Sequence, residues 1–134
     1  MQTFVPYETF NEIARCLDYR RLGKQRVECL QILNALATGE GWINHPATRM
    51  WEGYEAALRR YQAVMIQEWI RRGYRNTMKI PRSGGRLRMP YWWGDSRVHS
   101  SHRAALLYKD PVWYDQFNWT EAPRQDYYWP RRDE

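Results

Sequence analysis

The spacing of apolar residues is the feature that most limits the fold of this chain. Two long stretches place these residues three and four positions apart, which is the period of one face of an α-helix. The first stripe consists of Leu22, Cys29, Leu30, Leu33, Leu36 and Ala37, and the second of Trp51, Tyr54, Leu58, Tyr61, Met65, Ile66 and Trp69. No convincing run of four or more residues alternates apolar and polar side chains as a half-buried strand does. The pattern predicts an all-α protein.

Capping residues and helix breakers set the expected bounds of the first two helices. Thr9-Phe10-Asn11-Glu12 has the form of a capping box, and Thr38-Gly39 ends the helix that it starts. Gly23 is an expected position for a kink or break in this first helix. The second helix is predicted to begin at Asn44-His45-Pro46, where proline suits the first helical position, and to end at Gly73.

A third helix is predicted from Asp95-Ser96 to about Tyr108, where Asp110-Pro111 ends it, and residues 112–117 add one short turn. A length of 134 residues predicts a single compact domain over 1–134 with three main helices. Residues 118–134 contain Pro123, Pro130 and several charges, so we expect an extended tail there.

The connection between the second and third helices is strongly basic. Residues 71–88 hold seven arginines and lysines and no acid, and Pro90-Tyr91-Trp92-Trp93 follow directly. Cations bind phosphates and aromatic faces stack on unpaired bases, so the segment predicts a DNA contact through Arg82, Arg86, Arg88, Trp92 and Trp93. The net charge of +6 agrees with a polyanionic partner. The alternative is a solvated basic loop beside a structural aromatic cluster.

The cysteines and histidines predict neither a disulfide nor a metal site. Cys16 and Cys29 lie thirteen positions apart on one predicted helix and cannot bridge each other within it. No signal peptide or long apolar run is present, so we expect a cytoplasmic, nucleoid-associated monomer without a membrane contact. His99 and His102 have helical spacing but lack further ligands, so no metal or other cofactor is expected.

The first helix carries a polar ridge that is a candidate active-site wall. At 100° per residue, Asp18, Arg21, Gln25 and Glu28 share one ridge, and Arg20 and Lys24 lie on the neighbouring one. One interpretation is a solvated face with an ion pair between Lys24 and Glu28. The other is a cleft wall of mixed charge, in which Arg20, Arg21, Lys24 and Arg26 bind DNA.

The remaining histidines have no arrangement typical of a nucleophile–base pair. His45 stands beside a helix start that Asn44 could cap, and it is also a candidate DNA contact. Ser100 and Ser101 separate His99 from His102, but serine and histidine at adjacent helical positions diverge. We therefore expect a single histidine, His99, that donates a hydrogen bond to a phosphate or a base.

Four short motifs follow one another along the chain: Tyr19-Arg20-Arg21-Leu22, Arg71-Arg72-Gly73-Tyr74, Gly94-Asp95-x-x-x-His99 and Pro111-x-Trp113-Tyr114. In residue types and in order they resemble motifs of the phage-type pyrimidine-dimer DNA glycosylases with abasic-site lyase activity (endonuclease V-like). The chain also has Leu-Asp-x-x-Arg-Leu-Gly-Lys-Gln-Arg and Asn-His-Pro blocks, like those of a bacterial and phage branch of that superfamily.

The resemblance implies a covalent mechanism and a damaged, modified or distorted DNA duplex as the partner. In that family a neutral N-terminal amine attacks the sugar C1′ and forms an imine as the base leaves. A glutamate on the first helix stabilises the cation and assists β-elimination. Basic side chains hold the kinked duplex while a nucleotide is extruded. No metal or cofactor is implied.

Two departures from the family pattern change the expected site. The family's glutamate position is Arg21 here, and a cation cannot stabilise developing positive charge. Residue 2 is the bulky Gln2, so we expect Met1 to be retained and to supply the amine. The candidate catalytic residues are Met1, Asp18, Glu28 and His99, with Asp18 or Glu28 as the acid.

Three functions therefore stay open from the sequence. The first is a glycosylase or lyase that acts on a flipped base. The second is a catalytically silent module that binds damaged or modified DNA. The third is an enzyme on a nucleotide-like anion, with Arg20, Arg21 and Lys24 as a phosphate clamp. In each case the basic loop is expected to form one wall of a groove, opposite the ridge from Arg20 to Lys24.

Overall fold

The structure is a computed structural model that describes residues 1–132, so the last two positions of the predicted tail lie outside the described residues. Residues 1–132 contain no strand, and the prediction of an all-α fold is confirmed. A 3-10 turn, Asp115–Phe117, follows the last helix. Residues 1–132 form six α-helices: α1 Phe10–Cys16, α2 Tyr19–Thr38, α3 Pro46–Arg49, α4 Glu55–Arg71, α5 Ser96–Lys109 and α6 Pro111–Tyr114.

Local capping chemistry sets several of the helix ends as predicted. The Thr9 hydroxyl accepts a hydrogen bond from the Glu12 amide at the start of α1. Asp95 accepts one from the Arg97 amide at the start of α5, and Asp110 accepts one from the Trp113 amide at the start of α6. Gly39 ends α2 with a φ of 74°, a left-handed conformation that glycine adopts without strain.

The first predicted helix is in fact two helices, and its break is not at Gly23. Leu17 and Asp18 separate α1 from α2, because the Asp18 amide donates to the Tyr114 hydroxyl at 3.1 Å instead of to a helical carbonyl. Gly23 lies within α2, where it admits the Trp69 indole. A β-carbon at position 23 would lie only 3.0 Å from ring atom Cζ3.

The second predicted helix is also divided, into α3 and α4. The connection contains Gly53, whose φ of 87° cannot continue a helix. Long-range bonds hold the segment before it: the Trp51 indole donates to the Thr3 hydroxyl at 2.7 Å, and the Trp92 indole donates to the Met50 carbonyl at 2.8 Å. Tertiary contacts therefore override the continuous apolar stripe.

The core lies where α2 and α1 pack against α4. Trp51, Trp92, Tyr61 and Tyr114 are among its largest fully buried side chains. Residues 118–132 contain no helix, yet their aromatic side chains pack against the core from outside. Cys16 and Cys29 are both buried and free, as expected. Within residues 1–132, no helix combines the length and the apolarity that a membrane crossing requires.

Candidate functional site

The first five residues form an extended segment that side chains hold inside the protein. The Gln25 amide is the centre of this arrangement and is 1% exposed. Its Nε2 donates to the Gln2 carbonyl at 3.0 Å, and its Oε1 accepts from the Phe4 amide at 3.1 Å. The Tyr61 hydroxyl donates to the Phe4 carbonyl at 2.7 Å. The position of the chain start is thus fixed by α2 and α4.

Two histidines of α5 bind the far end of the same segment. The His102 Nδ1 accepts from the Val5 amide at 2.9 Å, and the His99 Nδ1 donates to the Val5 carbonyl at 2.6 Å. His99 Nε2 then accepts from the Gly94 amide at 3.0 Å. Both ring nitrogens of His99 are therefore hydrogen-bonded to backbone groups, and His99 does not line the cleft described next. Its predicted catalytic role finds no support in this geometry.

A cleft of about 880 Å³ lies beside the chain start, against one face of α2. Its lining contains four cations but only one carboxylate, so the cleft favours an anion. From the chain start and the tail it takes Met1, Gln2, Phe4 and Tyr127, and from α4 and α5 it takes Trp69 and Lys109. From α2 it takes Tyr19, Arg20, Arg21, Gly23, Lys24, Gln25, Val27, Glu28 and Gln31.

Glu28 is the single carboxylate of this lining, and it lies against the chain start. Its Oε2 accepts from the Gln2 amide at 3.2 Å and from Gln25 Nε2 at 3.3 Å. The Met1 amine is one residue from that amide, which puts it within about 7 Å of the carboxylate oxygen. The alternative ion pair between Lys24 and Glu28 does not form among the described residues.

Asp18, the other candidate acid, does not line the cleft. It is 6% exposed; its Oδ1 accepts from the Tyr114 hydroxyl at 2.5 Å, and its Oδ2 accepts from Arg21 at 3.1 Å. Burial and the hydrogen bond to Asp18 raise the pKa of Tyr114, so this hydroxyl remains a donor. Asp18 thus fixes the start of α2 and holds Arg21, whose guanidinium also borders the cleft.

His45 caps α3 with its own ring, where the sequence suggested Asn44. Its Nδ1 accepts from the Ala47 amide at 3.0 Å. Partial burial, and then the positive charge of the N-terminal amine, lower the pKa of His45. The second cause indicates that His45 lies near the Met1 amine, and the His45 side chain is half-buried.

Tyr127 is a cleft residue that the sequence did not reveal. It belongs to the irregular tail, where no periodicity or motif marks it. Burial, followed by the negative charge of Glu28, raises the pKa of Tyr127 to about 12, while Arg21 lowers it. The phenol is therefore a neutral hydrogen-bond donor near both side chains at neutral pH.

Much of the basic run is occupied by structural contacts. Arg71 and Arg72 bind the buried Glu68 at 2.6 and 2.8 Å. Arg88 donates to the Gly53 carbonyl at 3.0 Å, and its guanidinium lies 4.9 Å from the Tyr54 ring centre. Arg86 is exposed. Exposed cations of the loop thus remain available to phosphates, but the run is not a free chain.

The expectation that Trp92 and Trp93 form a stacking surface requires correction. Trp92 is 1% exposed and is a core residue. Trp93 is partly buried, donates from its indole to the Glu8 carbonyl at 3.0 Å and packs edge-on against Phe10. Trp92 therefore presents no free face to an unpaired base, and the Trp93 ring is held in place by contacts within the fold.

The basic loop and the ridge of α2 also do not form two walls of one groove. Residues 79–88 contribute nothing to the cleft lining. Arg82 instead borders a separate groove of about 500 Å³, on whose floor lie Leu30 and Leu33. Arg26, which was predicted to bind DNA, makes contacts within the protein. It donates to the Asn76 side chain at 2.8 Å, and its guanidinium lies 4.2 Å from the Trp69 ring centre.

Within residues 1–132, no three His, Cys, Asp or Glu side chains stand close enough to hold a metal ion.

The family model described as pyrimidine dimer DNA glycosylase matches residues 1–81 of the chain. The chain belongs to this family. The matched region contains the whole cleft lining except Lys109 and Tyr127. No curated protein and no solved structure matches the chain.

Proposed function

We propose that the protein is a DNA glycosylase with abasic-site lyase activity, in which the Met1 amine is the nucleophile and Glu28 is the assisting carboxylate. The observation that carries the proposal is the bond from the Gln2 amide to Glu28 Oε2 at 3.2 Å, inside a cleft with an excess of cations. Family membership supports the reaction class. The proposed reaction uses an amine and a carboxylate and requires neither a metal nor a cofactor.

The proposed reaction begins with the lone pair of the neutral Met1 amine. It forms a bond to the sugar C1′, the bond from C1′ to the base breaks, and the base leaves with that electron pair and takes up a proton. Loss of one of the two amine protons and opening of the C1′–O4′ bond give a protonated imine (iminium), with a proton on O4′. Removal of the C2′ proton then expels the 3′ phosphate by β-elimination.

Glu28 can supply the carboxylate that the family has at the position of Arg21. A carboxylate stabilises the positive charge that develops on the sugar and on the iminium, whereas Arg21 opposes it. Seven residues, about two helical turns, separate Arg21 from Glu28, so both lie on the same side of α2. Both hydrogen bonds to Glu28 end on Oε2, and Oε1 accepts none from residues 1–132. This second oxygen is available to the reacting sugar.

The cations around the cleft suit the phosphates that flank the sugar. Arg20 and Lys24 are exposed on α2, and Lys109 faces the same space from the end of α5. Arg21 is restrained by Asp18 at 3.1 Å, which directs a fixed guanidinium toward the cleft. These charges support binding of an extruded nucleotide, because a duplex must expose its sugar before an amine can reach C1′.

Borohydride trapping tests the mechanism. Ultraviolet-irradiated, abasic and modified-base duplexes are mixed with the protein and reduced, and the trapped complex is digested with trypsin. We expect the adduct on the peptide of residues 1–15, which contains no lysine and therefore only the α-amine as a nucleophile. An adduct on Lys24 or Lys109 would contradict the assignment of Met1.

The role of Glu28 is tested with a matched pair of variants. Glu28→Gln should lower the trapping rate at least about tenfold, as is usual for loss of a positioned acid–base group. Glu40→Gln removes an exposed carboxylate just beyond α2 and should leave the rate unchanged. If the wild type gives no adduct with any of these substrates but binds them, the protein is the silent DNA-binding module that Arg21 would suggest.

A further inference from the structure

Tyr19 and Trp69 line one side of the cleft, and Tyr74 packs against both rings. The Trp69 and Tyr74 ring centres are 4.4 Å apart, and the Tyr19 ring lies 5.8 Å from Tyr74. Tyr19 and Trp69 are nearly parallel, with 20° between their planes and 6.5 Å between their centres. The three rings form one aromatic cluster at the edge of the cleft, in which the Tyr19–Trp69 pair is stacked and the two pairs with Tyr74 are tilted.

Trp69 is the fixed member of this cluster. Its indole donates to the Arg75 carbonyl at 2.9 Å, and the Arg26 guanidinium lies 4.2 Å from its ring centre. Its six-membered ring fills the space that Gly23 leaves open, since a β-carbon there would lie 3.0 and 3.1 Å from two ring atoms. Contacts with α2 and with the connection after α4 thus hold the indole.

Tyr19 is the member with a free surface. It is 52% exposed although it borders the cleft, and no hydrogen bond fixes its hydroxyl among the described residues. An exposed ring that rests on a fixed aromatic support loses little conformational entropy when a ligand stacks on it. Arg20 and Lys24, which follow on the same helix, supply positive charge beside it.

We propose that Tyr19, supported by Trp69 and Tyr74, is the platform on which the nucleobase of an extruded nucleotide stacks. The class of ligand follows from the combination of a flat apolar face, adjacent cations and a sugar-directed carboxylate in one cleft. The inference rests on the proposed function, since it assigns a base-binding surface to the same cleft. It assigns base stacking to rings from a different part of the chain than Trp92, which the core buries.

The test compares two DNA ligands that differ in a single base. One duplex carries an unpaired central nucleotide, and the other carries tetrahydrofuran, which lacks the base, at the same position. Binding is measured by fluorescence anisotropy without borohydride, so the result does not depend on the covalent chemistry. Tyr19→Ala should weaken binding of the first duplex about 5- to 150-fold and leave the second nearly unchanged. Tyr19→Phe should retain wild-type affinity for both.

A second variant acts on the support instead of on the platform. Gly23→Ala adds a β-carbon against Trp69 and should reduce the preference for the base-containing duplex without changing the charge of the cleft. Equal losses for the two duplexes in Tyr19→Ala, or a loss in Tyr19→Phe as large as in Tyr19→Ala, would overturn the proposal. If Tyr19→Ala binds normally but wild-type trapping on residues 1–15 persists, the stacking platform is refuted and the glycosylase mechanism stands.

Discussion

Acid should destabilise this protein through one buried histidine. His102 is fully buried, and burial, followed by the electrostatic effect of the nearby His99, lowers the pKa of His102 from 6.5 to about 3. Its Nδ1 accepts the Val5 amide, and its Nε2 has no partner among the described residues. Protonation would place an N–H against the Val5 N–H and a charge among the rings of Phe4 and Tyr127.

The sign and size of the effect follow from proton linkage. Between pH 6.5 and pH 3 the unfolded chain holds a proton on this residue and the folded protein does not, so stability falls as the pH falls. The slope is about 1.4 kcal/mol per pH unit, which gives a loss of about 2 kcal/mol at pH 5 relative to pH 7.5. Above pH 6.5 this contribution is constant.

Urea unfolding at pH 7.5, 6.0 and 5.0 measures the loss, with tryptophan fluorescence as the signal. The quantity to compare is the pH-dependent change in the free energy of unfolding, since His102→Gln also lowers stability at every pH. That variant should lose most of the dependence between pH 6.5 and pH 5. His45→Gln should keep most of it, because the pKa of this partly buried histidine is lowered less than that of His102. An identical pH dependence in the wild type and in His102→Gln would refute the reasoning.

Two further substitutions test the contacts that hold the site. Gln25→Leu keeps the side-chain volume but leaves the Gln2 carbonyl and the Phe4 amide unpaired, which should lower the free energy of unfolding by about 2–6 kcal/mol. The control Gln31→Leu, at an exposed position on the same helix, should lower it by less than about 0.5 kcal/mol. Similar urea midpoints for the two variants would contradict this expectation. Tyr114→Phe removes the bonds to the Asp18 carboxylate and amide and should cost about 2–3 kcal/mol, so an unchanged midpoint would show that Asp18 does not need this partner.

Helix ends that depend on nearby residues could be predicted from the sequence. Thr9, Asp95 and Asp110 each accept a bond from an amide two or three residues ahead, so a short motif contains the whole interaction. The break at Leu17 and Asp18 could not be predicted in this way. It depends on the Tyr114 hydroxyl, 96 positions further along the chain, and no local pattern announces such a bond.

The candidate site shows the same difference between local contacts, which the sequence can predict, and long-range contacts, which it cannot. The helical period placed Arg21 and Glu28 on one ridge of α2, with Arg20 and Lys24 on the neighbouring ridge, and all four side chains line the cleft. The period could not separate Asp18 from Glu28, because Asp18 turns toward Tyr114 before α2 begins. Composition suggested that the basic loop and Trp92 bind DNA, but a buried ring such as that of Trp92 cannot stack on a base. Tyr127 entered the cleft from an irregular tail that carries no periodic signal.

The anchoring of Val5 by His99 and His102 has a consequence for biosynthesis. These bonds join positions 94 and 97 residues apart. At about 5–20 residues per second, a ribosome needs roughly 5–20 s to make the intervening chain. The first residues to emerge are thus among the last to reach their final places, and a chain that stops before α5 never acquires these anchors. Gln2 and Phe4 have their partners on α2 and α4, which are made earlier, whereas Val5 has its partners on α5, which is made later.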